Sequence, residues 1–112
     1  MELAEIKEKL DLVNINAKPI KEDITVSHGY ACDLLSVVLA KAKPNTIWLT
    51  IQSHMNIIGV ASMANIPAVV ICDGYNVAYN VIEKADEENI ALFKSQENAF
   101  QLSGKLAECG IE

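Results

Sequence analysis

The sequence predicts a three-layer α/β/α domain built on a mainly parallel sheet of four or five strands. Four times, a short β-branched apolar run passes through a polar or glycine-bearing turn into a helical pattern. Strands alternating with helices of ten or more residues imply βαβ units and a parallel sheet. The core palette is Ile, Val, Leu and Ala, with aromatic residues at only 5%, which suits strands covered by helices on both faces. A chain of 112 residues has room for one core, so 1–112 is read as a single domain.

Residues 3–10 open the chain with a short amphipathic helical pattern (Leu3, Ile6, Lys7, Leu10), and residues 12–15 suit a short strand at a sheet edge. Residues 24–26 read as the first strand of the repeating unit, followed by the turn Ser27-His28-Gly29 and a helix from Tyr30. In that helix Ala31, Leu34, Leu35, Val38, Leu39 and Ala42 fall on one face. Residues 46–51 lead through Gln52-Ser53 to a helix reaching Ala64, with Trp48 as a core residue. Within 55–64, the residues Met55, Ile57, Ile58, Val60, Ala61 and Met63 leave almost no polar face. That predicts a helix covered on more than one side, by its central place in the domain or by a second subunit.

Residues 67–72 lead through Asp73-Gly74 to a helix over 76–88. Its inner face is Val77, Ala78, Val81, Ile82 and Ala85, and its solvated charges are Glu83, Lys84, Asp86 and Glu87. Residues 90–93 lead through Lys94-Ser95 to a last helix reaching Cys109. Ser95 is its expected N-cap, with Glu97 in the first turn and Gly110 past the end.

The net charge is −6, with no block of Lys or Arg. Nucleic acid needs a basic surface to neutralise phosphates and is excluded as a partner; an anionic membrane surface is disfavoured for the same reason. No apolar run approaches a membrane span, and the opening residues carry no signal-like stretch. Cys32, Cys72 and Cys109 are too far apart for a CxxC pair and read as free thiols, which places the protein in the cytoplasm.

In an open parallel sheet, ligands bind beyond the carboxyl ends of the strands. The expected ends pool both histidines with polar turn residues, and the candidate ligand-binding set is Gly29, Tyr30, Gln52, His54, Asn56 and Asp73. Amides at Gly29 and Tyr30 would offer donors to an anion, and Gln52, His54 and Asn56 offer side-chain hydrogen bonds of both kinds. Asp73 would repel a close phosphate and suits a hydroxyl or amine; Tyr30 or Tyr75 would stack on a base. Ordinary turn chemistry explains the same composition, because each βα turn needs a positive φ and a helix cap. His28 and His54 lack a partner at metal-ligand spacing and read more simply as satisfied or capping histidines. Asp73 before Gly74 could hold a ribose or a cation but reads more simply as a turn aspartate, and Cys32 and Cys72 as small core residues. No Walker-type phosphate loop, GxGxxG, GxSxG, HExxH or kinase signature occurs. No catalytic residue, metal site or cofactor is therefore assigned.

The run Gly29-Tyr30-Ala31-Cys32-Asp33-Leu34-Leu35-Ser36 resembles the GY-x-x-DLLS stretch of DRTGG-domain proteins. Ala42-Lys43-Pro44, Ile47 through Gln52, His54, Asn56-Ile57, Ile82 through Ala85, Asn89 through Ala91 and Ala99-Phe100 extend the likeness over nearly the whole chain. The resemblance implies a fold similar to the N-terminal domain of HPr kinase/phosphorylase. It also implies a regulatory or oligomerising role, found in other members beside CBS pairs. The kinase activity of those enzymes resides in a separate phosphate-loop domain, so none is expected of this sequence. Two departures stand out: Ser27-His28-Gly29 replaces the family's Thr-Gly-Gly, and Asp73-Gly74-Tyr75 replaces a glycine-rich turn. Both weaken the case for an anion gripped by glycine amides.

The leading expectation is a non-catalytic regulatory, ligand-sensing or oligomerisation module, homodimeric, taking a nucleotide or other small anionic metabolite at the strand ends. The alternative is a small enzyme acting on a phosphorylated metabolite at a dimer-shared crevice. A weaker one is a thiol or metal sensor using Cys32, Cys72 or His28.

Overall fold

The computed structural model describes residues 1–112. In chain order the elements are α1 (Leu3–Lys9), β1 (Val13–Asn14), β2 (His28–Ala31), α2 (Leu35–Lys41), β3 (Thr46–Thr50), α3 (Asn56–Met63), β4 (Ala68–Ile71), α4 (Tyr79–Glu87), β5 (Ala91–Lys94) and α5 (Ala99–Glu108). The sheet runs β1-β5-β4-β3-β2. Strands β2 to β5 are mutually parallel, and β1 pairs antiparallel with β5. This is the expected mainly parallel five-stranded sheet with its short edge strand.

Two cores sandwich the sheet and make the three layers. On one face α1 and α5 bury Ile6, Leu10, Leu102 and Leu106 against Ile47, Leu49, Val70 and Phe93. On the other, α2, α3 and α4 bury Val38, Ile57, Ile58, Val81 and Ala85 against Trp48, Val69, Ile71 and Leu92. Alternate residues of each central strand serve opposite cores, so those strands read as unbroken apolar runs. α3 lies between α2 and α4 in its layer, a central place. Its coverage is one-sided: Ile57, Ile58 and Ala61 are buried, whereas Gly59, Ser62 and Met63 face outward.

The first unit departs from expectation. Residues 24–26 are extended but do not enter the sheet; they pair with the N-terminus. The Val26 N–H donates to the Met1 carbonyl (2.8 Å) and the Leu3 N–H to the Ile24 carbonyl (2.8 Å), flanking a Glu2–Thr25 bridge. The strand is instead His28–Ala31, in register with residues 46–49 of β3. The helix accordingly begins at Leu35 rather than Tyr30, with Leu34 and Leu39 exposed and Leu35, Val38 and Ala42 turned inward.

Helix α5 also starts later than expected. Asn98, not Ser95, is its N-cap: the Asn98 side chain accepts the Gln101 N–H (2.9 Å), and the Gln101 side chain accepts the Asn98 N–H (3.0 Å). This reciprocal arrangement satisfies two otherwise orphaned donors. Ser95 Oγ accepts the Glu97 N–H one turn earlier, so Glu97 precedes the helix. Gly110 ends it at φ +84°, as expected.

Candidate functional site

The carboxyl ends of β2 to β5 lie on one edge, and each crossover there presents different chemistry. Gln52, His54 and Asn56 follow β3, and Asp73 follows β4, so these four share the edge as expected. Gly29 and Tyr30 do not. They lie inside β2, opposite Ile47 and Trp48 of β3, two residues and one residue before the strand's carboxyl end. The cause is the displaced first strand, which turns an expected turn into sheet. The Gly29 amide is committed as well, donating to the Glu112 carbonyl (2.9 Å) outside β2. Gly29 and Tyr30 instead help line a cleft of about 250 Å³ outside β2, with His28, Lys41, Lys43, Thr46 and Glu112.

The histidine and aspartate at the strand ends have local roles. His54 Nδ1 accepts the Asn56 N–H (3.1 Å) and caps the first turn of α3; in the neutral ring this leaves the proton on Nε2. Ile57 and Ile58 donate to the His54 and Met55 carbonyls, so the first three amides of α3 are already engaged. Asp73 (φ +60°) and Gly74 (φ +67°) form the tight turn after β4, where the Asp73 N–H donates to the Glu97 carbonyl and the Gly74 N–H to the Ser95 carbonyl. Asp73 is thus a turn aspartate whose exposed carboxylate remains available to a ligand.

Sequence reasoning missed Asp33. Its Oδ1 accepts both the Thr50 hydroxyl (2.8 Å) and the Ile51 N–H (2.9 Å). Thr50 Oγ1 in turn accepts the Gln52 N–H (3.0 Å), and Gln52 Nε2 donates to the Asp33 carbonyl (3.1 Å). Trp48 Nε1 donates to the Cys32 carbonyl just before it (2.8 Å). The β2 and β3 crossovers are therefore stitched together, and Gln52 is spent on that stitching. The available signal was the position of Asp33 within the Gly-Tyr-x-x-Asp-Leu-Leu run, just beyond a strand.

The edge is electronegative near its middle. Burial pushes the Cys72 thiol up from 9.0 to about 11; a backbone hydrogen bond from Thr50 opposes the rise, and the charges of Asp73 and Asp33 add to it. Such a thiol is protonated and unreactive at neutral pH. Cys32 and Cys109 are half-buried free thiols. No three His, Cys, Asp or Glu side chains gather where they could hold a metal ion. No helix is long and apolar enough to cross a membrane.

None of the chain's principal cavities touches Gln52, His54, Asn56 or Asp73. The roomiest, about 460 Å³, opens at the β5 end of the same edge, between Asp11, Val13, Lys94, Ser95, Gln96, Glu97 and Lys105. Lys105 there is held by the Glu97 carboxylate at 2.7 and 2.9 Å, whereas Lys94 reaches only the Asn76 side-chain carbonyl.

No family model and no curated protein matches the sequence. Among solved structures, the chain is similar to the CBS and DRTGG domains of the regulatory region of Clostridium perfringens pyrophosphatase, a structure that holds the activator diadenosine tetraphosphate. The TM-score is 0.67 at 15% identity, over 93% of this chain and 45% of that one. This chain thus spans about half the length of that neighbour, and at such identity the likeness is one of fold. The fold of the chain is similar to that of this CBS and DRTGG region, in agreement with the fold that the resemblance of the Gly29–Ser36 run implies.

Proposed function

We propose that this chain is a cytoplasmic, homodimeric regulatory module without a catalytic centre, sensing a nucleotide-class ligand at the carboxyl edge of its sheet. The observation that carries the reading is the fold shared with a regulatory region that binds a dinucleoside polyphosphate activator. The chemistry of the edge supports it. His54, Asn56 and Asp73 suit the polar edge of a base and the hydroxyls of a ribose. Asp33 and Asp73 keep phosphates away from the middle. The phosphates run instead into the 460 Å³ cleft that opens at the β5 end. Three unpaired cysteines fit a reducing compartment.

The test is a thermal-shift series with AMP, ADP, ATP and diadenosine tetraphosphate on the wild type, His54→Ala and Asp73→Asn. The expected result is an adenine nucleotide that raises the wild-type midpoint and raises both variants' midpoints less. Equal stabilisation of all three proteins, or none by any nucleotide, overturns the ligand site. ATP hydrolysis that a mutation within this chain abolishes overturns the non-catalytic reading.

A further inference from the structure

The chain leaves eight large apolar side chains exposed, and six of them belong to one edge. Leu34 follows β2, Ile51 follows β3, Tyr75 and Tyr79 follow β4, and Phe100 follows β5; Val13 opens the antiparallel β1 opposite Lys94. Apolar residues scattered singly over a surface need no explanation, but a row of them along one edge does. The two others, Leu39 and Met63, lie on α2 and α3.

The geometry points to this edge as the surface on which two copies pair, about a two-fold axis normal to the sheet and passing between β3 and β4. The inference rests on the homodimeric reading above and supplies its interface. Area is the first argument. Tyr75, Tyr79 and Phe100 are 51, 67 and 87% exposed. At 150–250 Å² for a whole aromatic side chain, the row offers roughly 600 Å² or more, against the ~800 Å² per partner of a standard interface. The outer face of α3 offers only Met63 as a fully exposed large apolar residue, and the outer edge of β2 already carries Glu112.

Charge is the second argument, and it selects the axis. Across the edge the crossovers present Asp33 after β2, His54 after β3, Asp73 after β4 and Lys94 at the end of β5. An axis lying in the sheet along the strand order would set each crossover against its own copy, with Asp33 facing Asp33 and Lys94 facing Lys94. An axis normal to the sheet reverses the order. Asp33 then faces Lys94 of the partner subunit, His54 faces Asp73 of the partner subunit, and Ile51 faces Tyr75 of the partner subunit. A two-fold interface must be self-complementary, and this arrangement is. The free Asp33 Oδ2 and the Lys94 ammonium each lack an oppositely charged partner within the chain. The pairing also gives His54, Asn56 and Asp73, which touch none of the chain's principal cavities, a facing wall from the partner's edge.

Sedimentation equilibrium and light scattering at tens of micromolar protein test the surface on the wild type, Leu34→Asp, Tyr75→Asp, Phe100→Asp and Met63→Asp. The substituted side chains are exposed, and far-UV circular dichroism checks that each variant folds. The expected wild-type mass is twice 12.2 kDa. The three edge variants weaken the dimer roughly tenfold or more, and Met63→Asp leaves it intact. A dimer that all three edge variants preserve overturns this interface while the homodimer stands. A monomeric wild type overturns both, and the nucleotide series above still decides the ligand site separately.

Discussion

The Asp33 carboxylate accepts the Thr50 hydroxyl at 2.8 Å, joining the crossover of the edge strand β2 to the end of the central strand β3. Thr50 is fully buried, so its hydroxyl has few other acceptors. The same oxygen takes the Ile51 amide, which makes Asp33 the hub that sets the shape of the β2 and β3 loops, and through Gln52 part of the candidate site. A charged acceptor serving two donors contributes more than an ordinary neutral bond.

Asp33→Ala is expected to lower stability by about 1–2 kcal/mol, because it strands a buried hydroxyl and an amide. Thr50→Val alone should cost about 1 kcal/mol, and the double variant less than the sum, with a coupling of about 1 kcal/mol. Urea unfolding followed by the fluorescence of buried Trp48 measures all three. Strict additivity would show that the two side chains do not act on each other.

Gly74 holds φ +67° in the turn after β4, and a Cβ there would sit 2.5 Å from Gln96 Oε1. Gln96 is an exposed, flexible side chain that can move aside, so the backbone conformation dominates the cost. Gly74→Ala is expected to destabilise by about 1 kcal/mol. Adding Gln96→Ala should recover only the smaller, steric part. Full recovery in the double variant would mean that the contact, and not φ, governs the position.

Cys72 makes stability fall at high pH. Its folded value, raised to about 11, exceeds the ordinary 9.0, so the folded chain keeps a proton that the unfolded chain loses. The contribution is whole below pH 9 and is lost as pH rises from 9 toward 11. Denaturant midpoints at pH 8 and pH 10 should fall more in the wild type than in Cys72→Ala. Equal falls in the two proteins count against the shift. Thiol reagents at pH 8 should modify Cys32 and Cys109 in the folded protein and reach Cys72 only on unfolding.

Local sequence determined the elements whose signal is carried by their own residues. Residues 46–50, 68–72 and 90–93 are β-branched or apolar throughout because both faces of those strands are buried. The helices betray themselves by spacing, and Gly110 by its place past α5. The alternation of these elements implies the parallel sheet and its edge, and Gln52, His54, Asn56 and Asp73 follow the ends of β3 and β4. What only the tertiary structure decided depends on partners distant in the chain. The run Ile24-Thr25-Val26 has the stronger strand propensity, yet its hydrogen bonds go to Met1 and Leu3. His28–Ala31 has no β-branched residue and becomes sheet because β3 offers it an open ladder. That choice moved Gly29 and Tyr30 off the edge and brought Asp33 to it. The run around Asp33 marks its position but not its role, because an aspartate's worth as an acceptor lies in which donors the fold delivers to it: here a hydroxyl and an amide 17 and 18 residues away.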